Sequence, residues 1–417
     1  MSNKLLKNSI IYVLGDIVNK AVPFFMLPIL TRYLTPEDYG LIAGFTSFVG
    51  FLTIFIGLSL HGAINVAYFR LEKEVLRVYI VNAFLILGLS ASVVFFIVFL
   101  FNSSISERLF LEKEWLYVAV LTVVSQFITL LNTTLWIAEQ NPKAYTIYQL
   151  AQTILMSSLT VILVVGFGFA WEGQVLALIV SSISFALISL FVLQKRNYFM
   201  FEYNREDIKD LLKFGIPMIP HQLSGWLQTS GDKILLLSMV GASATGLFTV
   251  GYQIGMIMGV LTSAFNRAWA PYMYKLLGET NLEENKIKIV KLTYIYFIAI
   301  IILILILNFI SSLIFKYFLD PKFSDAMEFV IYILIANGLN GMYYMVVNYL
   351  FYTKATAILA KITFSISVLH IVMSYFMINI YGAIGVAYTG VFSLLLMFLV
   401  VWHTSNKFYK MPWNLLK

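Results

Sequence analysis

Apolar runs long enough to cross a bilayer, which takes roughly 20 residues of helix, recur twelve times along this chain between short charged or turn-forming segments. In the first half they span about 9–30, 41–60, 78–101, 115–138, 145–169 and 175–193. In the second half they span about 214–240, 246–265, 292–315, 326–351, 358–380 and 384–401. The longest polar break, 194–213, carries five basic and four acidic residues, and its last part, 205–213, reads as a short helix lying on the membrane surface. The pattern predicts an all-α fold of twelve transmembrane helices, with a six-helix bundle over 1–194, a cytoplasmic connector over 195–213 and a second six-helix bundle over 214–417. Another charged stretch, 275–291, reads as a cytoplasmic loop between the eighth and ninth spans.

Ordered likenesses relate the two halves. Gly40 opens the second span and Gly246 the eighth; Lys143-Ala144 precedes the fifth and Lys354-Ala355 the eleventh. Gly173 opens the sixth, Gly382 and Gly385 the twelfth. Six spans per half keep both halves in one orientation, which makes this a parallel pseudo-repeat, and such repeats put the substrate site at the interface between halves. With the N-terminus inside, 21 of the 28 Lys and Arg residues fall on the cytoplasmic side. Arg32, Arg108, Lys113, Lys316 and Lys322 fall outside, while Lys20 and Lys233 lie within spans. This bias predicts that both termini and the connector are cytoplasmic.

Composition narrows the class. The chain is 60% hydrophobic and only 12% charged, with a mean hydropathy of +0.86, whereas a soluble domain has about 25% charged residues. It reads as a multi-pass membrane protein. With no cysteine, disulfides and thiolate metal sites are excluded. The histidines, His61, His221, His370 and His403, show no metal-ligand spacing, and no phosphate-binding loop or nucleophile elbow occurs. No cofactor is therefore expected, and neither ATP hydrolysis nor covalent catalysis is encoded. The net charge of +7 reads as membrane orientation and not as a nucleic-acid surface. The first run is a full span without a small-residue cleavage site, so no cleavable signal is expected.

Polar residues inside the spans are the candidates for function. The first span holds Asp16, Asn19 and Lys20. A charge at bilayer depth costs about 2.5–3.5 kcal/mol on insertion scales, so Asp16 and Lys20 should face protein or water. Four residues apart, they share a helix face and can neutralise each other. A wet, cargo-binding cavity and a buried pair that only fixes helix packing both account for them. Pro23 lacks an N–H and predicts a kink near Asn19. The seventh span, with Pro217, Pro220, His221, Gln222, Gln228, Asp232 and Lys233, is its interrupted counterpart, and interrupted helices at matching places point to a transport site. The plainer reading of Asp232 and Lys233 is an adjacent pair near the outer end, its lysine reaching the interface. His61 closes the second span, Arg70 follows at the cytoplasmic mouth, and Arg267 holds the matching place after the eighth. Arginines there can grip a phosphate bidentately, or simply anchor the loops inside. Scattered amides, among them Asn82, Asn132, Asn337 and Asn348, read as helix-to-helix hydrogen-bonding groups.

Residues 27–40, LPILTRYLTPEDYG, resemble the end of the first helix in polysaccharide flippases of the Wzx type, members of the multidrug/oligosaccharidyl-lipid/polysaccharide exporter superfamily. GDKILL, at 231–236, is similar to the aspartate-plus-basic pair that ends the corresponding later helix. The resemblance implies two six-helix bundles forming a V around a central cavity. It implies a flippase for undecaprenyl-pyrophosphate-linked oligosaccharide repeat units, of O-antigen or of capsular or exopolysaccharide, in the bacterial inner membrane. The candidate cavity residues are then Lys20, Asp16, Asn19, Arg70, Arg267, His61, His221 and Lys233. The implied partners are the lipid-linked glycan, membrane lipid, and the pathway's polysaccharide polymerase and chain-length regulator. Two alternatives stay open. Lys20 beside Asp16 argues against a cation-coupled small-molecule exporter of the same superfamily, and short outer segments argue against a non-transporting assembly component.

Alkaline phosphatase fused after Lys417 or at Asn204 is expected to be inactive, because both sites lie on the basic side of the membrane. Activity at either site would overturn the twelve-span arrangement.

Overall fold

The computed structural model describes residues 3–279 and 281–414, apart from the side chains of 3–10, 12–14, 16, 17 and 20. Among the described residues all regular structure is helical, without strands. It divides into two compact units, Met1–Trp226 and Leu227–Lys417.

The first unit contains α1 (Asn3–Tyr33), α2 (Pro36–Gly57), α3 (Leu60–Tyr68), α4 (Lys73–Leu100) and α5 (Asn102–Leu109). After these come α6 (Lys113–Ala138), α7 (Pro142–Thr160), α8 (Trp171–Lys195) and α9 (Arg205–Trp226). Helix α6 is the core, packed on α2, α3, α4 and α8. Its buried face is rich in small hydroxyl side chains (Thr122, Ser125, Thr129, Thr133), which let neighbouring helices approach closely. Thr122 and Thr133 return their own hydrogens to carbonyls one turn back, at 2.8 Å and 2.9 Å.

The 27–40 motif has a local physical cause. Thr35 caps α2 through a reciprocal box: Asp38 N–H donates to Thr35 Oγ1 at 3.1 Å, and Thr35 N–H donates to Asp38 Oδ2 at 2.7 Å. Pro36 occupies the first helical position, where its missing N–H costs nothing. The other Asp38 oxygen accepts from the Trp171 N–H at 3.3 Å, which pins the start of α8 to the same corner.

The segment 196–204, expected as a solvated connector, is tied down to α4. Asn82, fully buried, donates to the Glu202 carbonyl at 3.0 Å and accepts from Asn204 N–H at 3.1 Å. Arg77 reaches the Phe199 carbonyl at 3.3 Å, and Tyr79 donates to Asp210 at 2.8 Å. Tyr198 is buried and donates to Glu139; burial and that carboxylate push its phenol well above the usual range. Residues 205–213 are not a separate surface helix but the opening turns of α9, since α4 covers their apolar side.

The second unit begins with a π-helical turn, Leu227–Gly231, that carries α9 into α10 (Asp232–Met239). It continues with α11 (Ala242–Leu277), α12 (Leu282–Tyr317), α13 (Met327–Tyr352), α14 (Thr356–Tyr381) and α15 (Ile384–Phe408). Helix α13 is central and packs on α11, α12 and α15. Gly251, Gly255 and Gly259, one turn apart on α11, press against α13. A Cβ at these positions would lie 2.6 Å from Ala326 O, 2.6 Å from Ile333 Cγ2 and 2.5 Å from Asn337 Oδ1.

The charged stretch 275–291 is not a long loop. Helix α11 extends to Leu277 and α12 starts at Leu282, because an apolar stripe runs beneath the charges. Trp269, Met273, Leu276, Leu277, Ile289 and Val290 bury themselves against Met345 and Tyr349. Asn285 closes the corner by donating to Leu276 O at 3.0 Å, and Lys286 pairs with Glu283 at 2.7 Å.

Ten helices among the described residues are long and apolar enough to cross a membrane. Helices α1 and α9, which hold the first expected span and the start of the seventh, each carry two prolines inside a continuous helix. The chain is a multi-pass membrane protein. Asn82→Ala would leave the Glu202 carbonyl and the Asn204 N–H unpaired. It is expected to cost about 1–3 kcal/mol, read as a lower melting temperature in detergent and faster proteolysis within 196–204.

Candidate functional site

The second expected span forms one helix, α2, and ends in a backbone break. Leu58 and Ser59 adopt left-handed backbone conformations, with φ of 45° and 52°, and separate α2 from α3. Such conformations cost non-glycine residues roughly 1–2 kcal/mol each, so the break persists only where its surroundings hold it. Helix α9 does this. Gly215 lies directly on the Leu58 carbonyl, where an added Cβ would be 2.4 Å from the oxygen. About two and three turns on, Gln222 donates its amide to Ser59 Oγ and Trp226 donates to Ser47 O at 2.9 Å. Below the break, Phe214 packs on Gly62.

This arrangement organises several candidate residues. His61, half-buried, follows the break on α3, and the exposed His221 sits on α9, which packs against α3. Arg70 is exposed beyond the end of α3 and, among the described residues, is in no ion pair. Asn19 is engaged differently, accepting from Thr153 Oγ1 at 3.0 Å and so bonding α1 to α7. The side chains of Asp16 and Lys20 lie outside the described residues.

In the second unit, Asp232 and Lys233 separate, as adjacent helical residues point about 100° apart. Lys233, half-buried, places Nζ 5.1 Å from the centre of the Tyr252 ring. Asp232 turns inward and is buried. Its Oδ1 accepts from Ser374 Oγ at 2.8 Å, and its Oδ2 lies 3.0 Å from His370 Nε2. The far ring nitrogen, Nδ1, lies 2.7 Å from Ser393 Oγ, and Ser393 donates to the Thr389 carbonyl. One chain of polar contacts thus joins α10, α14 and α15. It borders a cavity of about 100 Å3, large enough for several waters, whose other polar walls are Gln228, Tyr252, Tyr332 and Asn337. Gln228, in the π-helical turn, also donates to Ser367 on α14. Arg267 is exposed on α11 beside Asn266, which accepts from Asn348 at 3.0 Å.

His370 is the residue that sequence reasoning passed over, as one of four scattered histidines. A usable signal was present: His370 and Ser374 are one turn apart in an apolar span, so they put two polar groups on one helix face. What they face could be read only after α10 and α15 were placed beside them.

Two glycines of α9 should respond oppositely to alanine. Gly215→Ala forces a methyl into the Leu58 carbonyl and is expected to lower the melting temperature and reduce membrane abundance several-fold. Gly225→Ala meets open space and is expected to stabilise by up to about 1 kcal/mol through helix propensity. Equal effects of the two substitutions would show that α9 does not brace the break.

Residues 5–277 match the profile of a family described as polysaccharide biosynthesis protein. A protein of the Lsg locus of Haemophilus influenzae is 27% identical over 355 residues, covering 84% of this chain and 85% of that one. Among solved structures, the fold is similar to the lipid II flippase MurJ in an inward closed conformation. That likeness has a TM-score of 0.73 at 14% identity, over 95% of this chain and 90% of that one. It is also similar to an inward-facing multidrug resistance MATE family transporter of the MOP superfamily, with a TM-score of 0.65 at 17% identity, over 93% and 94%.

Proposed function

The chain belongs to the polysaccharide biosynthesis protein family, and from that premise we propose that it is a flippase for an undecaprenyl-pyrophosphate-linked oligosaccharide, working in the bacterial inner membrane without covalent chemistry. One conjunction carries the proposal: the family match over 5–277 coincides with a fold shared, over 95% of the chain, with a protein named as a lipid II flippase.

The physical task is to move a charged pyrophosphate and its sugars past hydrocarbon while the polyprenyl tail stays in lipid. Hydroxyls and phosphate oxygens entering an apolar medium unpaired cost several kcal/mol each, so the protein must replace their water with donors of its own. Arg70 and Arg267 are exposed guanidiniums, each outside any ion pair among the described residues, and are suited to bidentate capture of phosphate. His61 and His221, on the packed helices α3 and α9, add donors for sugars or phosphate beside the α2–α3 break. Lys233, resting over Tyr252, is a further cation of the second unit. Asn19 serves as packing, bonded to Thr153. Lys20, four residues after Asp16 in the sequence, is the cation nearest mid-span in the first expected span and the first choice for contact with the pyrophosphate.

A strain deleted for this gene is expected to lose surface polysaccharide and to accumulate lipid-linked repeat units on the cytoplasmic side. The wild-type gene should restore it, Lys20→Ala should not at equal membrane abundance, and Lys20→Arg should restore part. Unchanged polysaccharide with altered dye or drug efflux would replace this reading with a small-molecule exporter.

A further inference from the structure

Helix α12 packs on α13 and α11 and leaves the rest of its circumference uncovered within the second unit. Its uncovered residues recur at spacings of three and four, so that Lys288, Lys291, Ile295, Ile298, Ile302 and Leu305, all exposed, share one face. Beyond Tyr296 the helix carries no polar side chain until Asn308. A face turned to water would be polar, so this one lies against hydrocarbon. Lys291 and Lys316 are about 37 Å apart along the helix, a little more than the hydrocarbon thickness of about 30 Å. Lys288 and Lys291 therefore stand at headgroup depth, at the end of an apolar stripe.

Their charges are not spent inside the protein. Among the described residues neither is in an ion pair, although the exposed Glu284 stands one turn before Lys288; Glu283 is taken by Lys286. Across the seam with α11, Lys288 Nζ lies 6.0 Å from the centre of the exposed Tyr272 ring. Lys275, also exposed, is one turn beyond Tyr272 on α11. Farther along the same seam Phe265 stacks on Tyr296 at 4.3 Å, which fastens the two helices together. Three ammoniums and a phenol thus gather where the stripe meets the headgroup region.

We propose that this end of the α11–α12 seam binds an anionic phospholipid of the cytoplasmic leaflet, its phosphate among Lys288, Lys291 and Lys275 and its acyl chains along the 295–305 stripe. The leaflet follows from the basic bias of the chain, and the lipid from charge: cations at the surface of a membrane attract anionic headgroups, each adding to the affinity. Two lysines three residues apart on one helix also converge on a single phosphate, which scattered lysines do not. A glycerophosphate suits the groove better than a lipid-linked glycan. The stripe offers sugar hydroxyls no partner besides Tyr272, and hydroxyls left unpaired against hydrocarbon are costly. The proposal needs only a membrane and does not rest on the flippase reading.

The test offers purified full-length protein in detergent equal concentrations of phosphatidylglycerol and phosphatidylcholine and counts retained lipid by native mass spectrometry. Wild type should prefer phosphatidylglycerol about tenfold, and the preference should shrink as sodium chloride rises from about 50 to 500 mM. Lys288→Gln with Lys291→Gln should abolish it, whereas Lys288→Arg with Lys291→Arg should keep it. The control, Lys354→Gln with Lys410→Gln, removes the same charge from exposed lysines outside the helices and should keep it too. Phosphatidylglycerol should raise the melting temperature only in the proteins that keep the preference. Equal retention of both lipids by wild type, or an undiminished preference in the glutamine pair, overturns the site. An equal loss in the control also overturns it, in favour of diffuse basic charge. Undecaprenyl pyrophosphate displacing phosphatidylglycerol at about one-tenth its concentration overturns it in favour of cargo. Where the glutamine pair does not fold, the arginine pair decides, since loss of the preference there overturns the site as well.

Discussion

A polar group inside hydrocarbon has no water to fall back on, so every such group in this chain must find its partner within the protein. Most do so cheaply. Buried threonines such as Thr293 return their hydrogen to a carbonyl one turn back, at 2.9 Å. Amides do more, because two donors and an acceptor rarely find partners on a single helix. Asn82 fastens the 196–204 segment, Asn132 meets Ser189 and Arg196, and Asn348 meets Asn266. Each satisfied amide is also a statement about which helices are neighbours. Carboxylate and imidazole carry the same logic furthest: Asp232 is tolerated because α14 faces it with Ser374, which donates to it, and with His370, whose far ring nitrogen meets Ser393 on α15.

Departures from regular helix fall where those demands and the packing compete. The Leu58–Ser59 break exposes a carbonyl that α9 covers by bringing a glycine backbone against it, and a hydroxyl that Gln222 satisfies. The π-helical turn at Leu227–Gly231 sits between a helix with two prolines and the buried Asp232. Both irregularities lie at or next to polar side chains in otherwise apolar spans. Both are braced by close contacts, so their strain is held locally.

The same accounting separates the candidates. Asn19 has its bond to Thr153 and is explained by packing. Lys233 has an aromatic face beneath its ammonium. Arg70 and Arg267 are exposed cations without a counter-charge among the described residues, the condition in which an arriving phosphate gains most.

Much was legible in the sequence because the bilayer imposes it residue by residue. Span length, apolar composition, the polar interruptions of the first and seventh spans and the Thr35–Asp38 corner depend on neighbours within a few positions along the chain. That local information also carried the family motif at 27–40, now matched by the family profile and by the fold. The sequence could not show that 275–277 and 282–291 are helical, since their apolar stripe acquires meaning only when Met345 and Tyr349 lie beneath it. Nor could it pair Asp232 with His370, 138 residues apart, or show that Asp232 and Lys233 face different surroundings. Hydropathy reads how much each residue dislikes water, a property of one side chain; which hydrogen meets which lone pair is a property of helices brought together, and only the tertiary structure decided it.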